Sequence, residues 1–95
     1  MEVRQLLEEI AKVLVDNPDE VRVKEIEGTN VTVFELQVAP GDIGKIIGRQ
    51  GRIADAIRWI LTAAGVKNRR RFELEILQPA SSLSKAHNSS QRQSL

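Results

Sequence analysis

Apolar positions along the chain change period several times, and each change marks an element. Val3, Leu6, Leu7, Ile10, Ala11 and Leu14 recur every three or four residues, with Glu2, Glu8, Glu9 and Lys12 between them, which predicts an amphipathic helix. It should end near Asn17, because the following Pro18 pushes that residue out of the helical region. The run "VRVKEIEGTNVTVFELQV" predicts two strands joined by a tight turn around Gly28 and Asn30. Phe34, Leu36 and Val38 alternate on the second strand, so one of its faces is buried; the first slips phase between Val23 and Ile26, as a β-bulge would require.

Pro40 and Gly41 break the strand, and Asp42 is placed to cap a short helix over residues 43–47. A longer helix is predicted over residues 52–64, closed by Gly65, with Ile53, Ile57, Ile60, Leu61 and Ala64 on its inner face. Phe72, Leu74 and Ile76 then alternate with charged neighbours as a strand that stops before Pro79. The order is helix, strand, strand, helix, helix, strand: an α+β domain over residues 1–78. Residues 79–95, "PASSLSKAHNSSQRQSL", are rich in Ser, Asn and Gln and read as a flexible tail, since they bury too little to offset the entropy of ordering.

Net charge is only +1, but it is divided unevenly. Residues 1–44 hold 4 basic and 10 acidic side chains, and residues 45–95 hold 10 basic and 3 acidic. A polyanion would therefore be attracted by the second half and repelled by the first. With no cysteine, disulfides and thiolate metal sites are excluded and a reducing compartment is expected. The N-terminus is acidic and amphipathic, unlike a signal peptide, and no run is apolar for long enough to span a bilayer, so a cytoplasmic protein is expected. His87 is the sole histidine and lies in the tail, while Glu73 and Glu75 alternate along a solvent-facing strand. No constellation for acid–base, nucleophilic or metal chemistry emerges, so neither catalytic residues nor a cofactor or metal is expected.

The chemistry concentrates in "PGDIGKIIGRQGRIADAI", where four glycines and three cations lie among isoleucines. Gly48 can close the short helix in a left-handed conformation, and Gly51 opens the long one. Amides on the first turn of that helix lack internal partners and point toward its positive dipole end, which suits a phosphate. Lys45, Arg49 and Arg52 add positive charge, and Gln50 adds a neutral donor. Ile43, Ile46 or Ile47, and Ile53 lie near the ends of the crossing helices; some fill the core and the rest line an apolar trough, while Gly44 permits close approach. A phosphate clamp beside an apolar trough fits single-stranded nucleic acid.

The stretch "IGKIIGRQGRIADAI" resembles the signature of a KH domain, whose I-G-x-x-G loop joins two helices. Together with the element order it resembles the type II KH arrangement, with three helices on one face of a three-stranded mixed sheet. Over residues 1 to about 78 the chain is similar to the KhpA-like family of bacterial single-KH RNA-binding proteins. The resemblance implies that Gly48, Arg49, Gln50 and Gly51 clamp the backbone of about four nucleotides, with Ile43, Ile47, Ile53 and Ile57 supplying the groove. It further implies post-transcriptional regulation or RNA chaperoning, and a homodimer or a pair with a larger Jag-type KH protein.

Other loops fit less well. "GKIIGRQG" lacks the Gly-Lys-Ser/Thr ending of a nucleotide-hydrolase phosphate loop, and the surroundings of "GKIIG" are too polar for a membrane-helix contact. Two further patches are ambiguous. Lys67, Arg69, Arg70 and Arg71 either extend an electrostatic footprint on RNA or form a solvated lead-in to the last strand. Trp59 points away from the inner helix face beside Ala56 and Ala63. Either the first helix covers this patch, or another subunit docks on it.

Overall fold

A computed structural model of the 95-residue chain describes residues 2–78. Three α-helices, α1 (Val3–Leu14), α2 (Ile43–Ile47) and α3 (Arg52–Asn68), combine with strands β1 (Arg22–Glu27), β2 (Val31–Gln37) and β3 (Arg71–Ile76). The sheet order is β1-β2-β3, with β1 antiparallel and β3 parallel to β2. This is the expected α+β arrangement with a mixed sheet. The expected tail over residues 79–95 lies outside the described residues. Among the described residues no helix is long and apolar enough to cross a membrane.

The core follows from the two periods. Leu7 and Ala11 of α1, and Ile57 and Leu61 of α3, meet Phe34 and Leu36 of β2 and Leu74 of β3. Phe34 and Phe72 pack edge to face, with ring centroids 5.3 Å apart and planes at 86°, a geometry worth about 0.5–1.5 kcal/mol beyond burial. Parallel pairing of β2 with β3 requires a crossover, and that crossover contains α2, the glycine turn and α3.

Several local expectations are corrected. The β1–β2 register is continuous from Arg22–Gln37 to Glu27–Thr32, so there is no bulge. Val23 sits opposite Leu36 on the helix-covered face, and Ile26 opposite Val33 on the open one, which is how the phase slip is absorbed. Gly65 does not end α3. It lies buried inside the helix, where a Cβ would collide with the carbonyl of Arg70, so glycine is needed there for the return of β3. The helix runs on to Asn68 and closes through Arg69 in the left-handed region (φ 57°), with Arg69 N–H donating to Val66 and Arg70 N–H to Gly65. Ile60 is not in the core: the buried face is Ala54, Ile57, Leu61 and Gly65, and Ile60 is 45% exposed.

Candidate nucleic-acid interface

Helix α2 ends when Gly48 N–H donates to the Gly44 carbonyl at 2.8 Å. Gly48 then takes φ 77°, ψ 174°, an extended left-handed-side conformation open essentially to glycine alone. A Cβ there would also approach the Ile53 side chain at 2.5–2.9 Å. Gln50 (φ 58°) and Gly51 (φ 74°) follow in the left-handed region. For Gln50 that conformation is unfavourable, and with Gly51 it gives the loop the left-handed sense of a type I′ turn. Gly51 N–H donates to Gly48 at 3.1 Å and Arg52 N–H to Arg49, so the loop closes in two overlapping turns and not as a right-handed 3₁₀ helix.

These bonds alter the expected electrostatics. Two of the amides at this helix start, those of Gly51 and Arg52, are taken up by the turn's own carbonyls, so less of the grip on an anion comes from the backbone. Side chains carry more of it. Arg49, Gln50 and Arg52 are exposed, and among the described residues neither arginine pairs with a carboxylate. Lys45 differs: its Nζ lies 3.3 Å from Asp16, so part of its charge is already answered within the fold.

Asp42 does not cap α2 with its side chain. Its carboxylate is 2% exposed and reaches back to the α1–β1 connection, accepting from Asn17 N–H and Nδ2 at 3.0 Å each and from Asp16 N–H at 3.3 Å. Burial opposes its ionisation, but the hydrogen bond from the Asn17 side chain, those from the two backbone amides and the nearby Lys45 outweigh it. The carboxyl is held below its usual value of 3.8. This tie fixes the base of α2, and so the angle at which the loop is presented.

Beside the loop a groove of about 350 Å³ runs between α3 and β3. Ile47 and Ala54 give it an apolar floor on the helix side, Leu74 and Ile76 on the strand side, and Arg58, Asp55 and Glu75 stand along its walls. It continues past Arg58 into a hollow of about 440 Å³ edged by Thr62, Arg71 and Phe72. Of the isoleucines assigned to the groove, Ile47 lines it. Ile57 does not: it is 3% exposed and belongs to the core, since it shares a helix face with Leu61. Ile43 and Ile53 are half-buried and packed against that core. Gly44 is exposed with open space where a Cβ would stand, so no close approach depends on it. Ala54, Arg58, Leu74 and Ile76 were missed by sequence reasoning. Their signal was there: Ala54 and Arg58 are one helical turn apart, and Leu74 and Ile76 alternate along a strand.

The basic run 67–71 divides into separate roles. Arg70 is committed to the fold: its guanidinium donates to the carbonyls of Gly28 (2.9 Å), Val31 (3.1 Å) and Thr29 (3.4 Å) and to Thr32 Oγ1 (3.0 Å), pinning the β1–β2 turn. Arg71 pairs with Glu73 at 2.8 Å. Arg69 closes α3, and Lys67 is exposed. On the outer face of α3, Ala56, Trp59 and Ala63 are all exposed, Trp59 at 76%, and Ile60 and Val66 (75%) extend the apolar row. Helix α1 does not cover Trp59.

Residues 4–76 match the family model described as KhpA/KhpB, KH domain. A protein of Clostridium acetobutylicum named RNA-binding protein KhpA is 56% identical over 75 residues, covering 79% of this chain and all of that one. Proteins of the same name from Aquifex aeolicus (55% over 76 residues, 80% and 96% covered) and Borreliella burgdorferi (55% over 73 residues, 77% and 89% covered) are comparably similar. No solved structure matches the chain significantly. With a glycine-bracketed loop on the crossover of a mixed sheet and this agreement over nearly all the described residues, the chain belongs to the KhpA/KhpB KH-domain family.

Proposed function

We propose that the chain is a non-enzymatic module that binds single-stranded RNA, with the loop over residues 48–51 gripping the sugar–phosphate backbone and the neighbouring groove receiving bases. One observation carries this reading: Arg49 in a strained loop and Arg52 at its flank stand exposed, without a carboxylate partner among the described residues, beside a groove with an aliphatic floor. The relatives named as RNA-binding proteins support it. Stacking on aromatic side chains is not available in the groove, where Ile47, Ala54, Leu74 and Ile76 supply aliphatic surface, so base preference should be weak. About 2–4 phosphates at one clamp give a log–log salt slope of roughly −1.4 to −2.8 for a single strand. The pair Arg49→Asp with Gln50→Asp reverses the loop charge and should reduce RNA affinity by about 100-fold or more without changing circular dichroism. Normal binding by that variant, measured by fluorescence anisotropy, would place the clamp elsewhere.

A single clamp is a weak site, and pairing two would raise affinity through effective concentration. The exposed row Ala56, Trp59 and Ala63 favours a second copy or a Jag-type KH partner docking on α3, and with it the work of an RNA chaperone or post-transcriptional regulator. If display of this row were the main role, the chain would be an interaction adaptor with RNA binding secondary. Trp59→Lys should lower the mass measured by light scattering while the monomer keeps its RNA affinity; an unchanged mass would count against the row as an interface.

A further inference from the structure

The groove changes character along its length. At the loop end stand Arg49 and Arg52, without a carboxylate partner among the described residues. Asp55 and Glu75 stand along the groove itself, and Glu75 has no cation within ion-pair distance among the described residues. Past Arg58 and Leu74, which border both spaces, lies the hollow of about 440 Å³ with Thr62, Arg71, Phe72 and Glu73 around it. Arg71 and Glu73 answer each other there at 2.8 Å, which leaves Arg58. Its tie to Asp55 is 3.6 Å long and exposed on both sides (48% and 68%), a pair that costs little to open. Positive charge therefore stands at both ends of the groove, with carboxylates between. The hollow also has the aromatic lining that the groove lacks: Phe72 is half-buried and held edge to face with Phe34.

We propose that this hollow is a purine-preferring subsite of the RNA strand, where Arg58 takes a phosphate and a base stacks on Phe72, an inference that rests on the RNA-binding reading above. Charge decides how the strand lies. Its phosphates are drawn to the two cationic ends and kept away from Glu75, so along the middle of the groove it is bases that meet the carboxylates. Helix α3 rises about 16 Å between Gly51 and Thr62, so the clamp and the hollow engage different nucleotides of one strand. The aliphatic floor between them treats all bases alike, and base choice falls to the one position with an aromatic wall. Purines present the larger π-face and stack the more strongly there. Thr62, one helical turn beyond Arg58 and exposed, stands at the edge of this seat and limits its depth.

The test compares fluorescein-labelled oligouridine with the same strand carrying a single central adenosine, both bound to the full chain. One adenosine should tighten binding by about threefold through stacking. A purine riboside in its place, which lacks the amino group, should give the same gain. Thr62→Gln fills the hollow from an exposed position and should erase the gain. Arg58→Gln removes one phosphate contact, so the log–log salt slope should become shallower by about 0.7, with affinity roughly fourfold lower near 0.15 M salt. No gain from adenosine, or a gain that survives Thr62→Gln, overturns the subsite, and an unchanged slope in Arg58→Gln overturns its phosphate contact. A gain with adenosine but none with the riboside overturns stacking in favour of hydrogen bonding to a carboxylate. In each of these cases loss of binding by Arg49→Asp with Gln50→Asp leaves the clamp standing. Wild-type affinity in that clamp variant overturns the underlying reading instead.

Discussion

The molecule has two short glycine-containing loops with arginine beside them, and they use it in opposite ways. In the β1–β2 turn, Arg70 arrives from a distant part of the chain and gives its guanidinium to three carbonyls and a hydroxyl. Gly28 there has ordinary backbone angles, and its N–H closes the turn on Val31 at 2.7 Å. In the clamp loop the arginines belong to the loop and its flank and have no acidic partner among the described residues, while the backbone itself is strained. Three of the four positive φ angles among the described residues, at Gly48, Gln50 and Gly51, fall within it. Where arginine satisfies the backbone, the loop is finished. Where strain coincides with unanswered charge, the loop fits the backbone-gripping role proposed for it.

The most severe way to break that contrast is Gly48→Ala. The new methyl must occupy a conformation reserved for glycine and displace Ile53, which should lower unfolding free energy by about 3 kcal/mol in urea titration. Stability close to wild type would mean the loop is not held under strain. Arg70→Met comes next. Losing charged hydrogen bonds to Gly28, Val31 and the buried Thr32 should cost about 2 kcal/mol. The folded fraction should keep its RNA affinity; a variant with normal stability and lost RNA binding would move Arg70 into the footprint.

Acid gives the gentlest comparison. The Asp42 carboxyl sits below 3.8 in the folded chain, so the tie to Asp16 and Asn17 is fully present above that value and fades as pH falls through the lowered one. The hairpin turn is held instead by Arg70 through carbonyls and a hydroxyl, with no carboxylate in the tie. In an acid titration followed by amide shifts, Asn17 should therefore move before Gly28. Simultaneous movement would show that the two loops share one support.

Much of this was legible in the chain, and where it was not the reasons are physical. The alternation of Phe34, Leu36 and Val38 and the helical spacing of Leu7 and Ala11 report burial directly, because one neighbouring layer decides them. The glycine bracket was legible too, since few sequences place Gly, Arg, Gln and Gly between apolar helices. What could not be read was the use of groups by distant partners. Asp42 has the position of a cap but serves residues 16 and 17, far back in the chain. Arg70 looks like its neighbours in "KNRRR" until the hairpin is folded beneath it. Gly65 follows an apolar helix as a terminator would, yet the passage of Arg70 across it is what requires glycine. Ile57 could not be separated from Ile47 by spacing alone, because both lie on apolar stripes and only the packing of α3 against the sheet says which is covered.

The parallel pairing of β2 with β3 also orders events in time. Val31 registers with Arg71 and Leu36 with Ile76, so the sheet is not completed until the chain has travelled through both connecting helices and back. Contacts this far apart close late, since the intervening loop must lose its freedom first. During synthesis the hairpin can assemble as soon as it emerges, whereas the groove gains its second wall only after the last strand is made. A nascent chain thus carries its cationic corner without a second wall until β3 has been made.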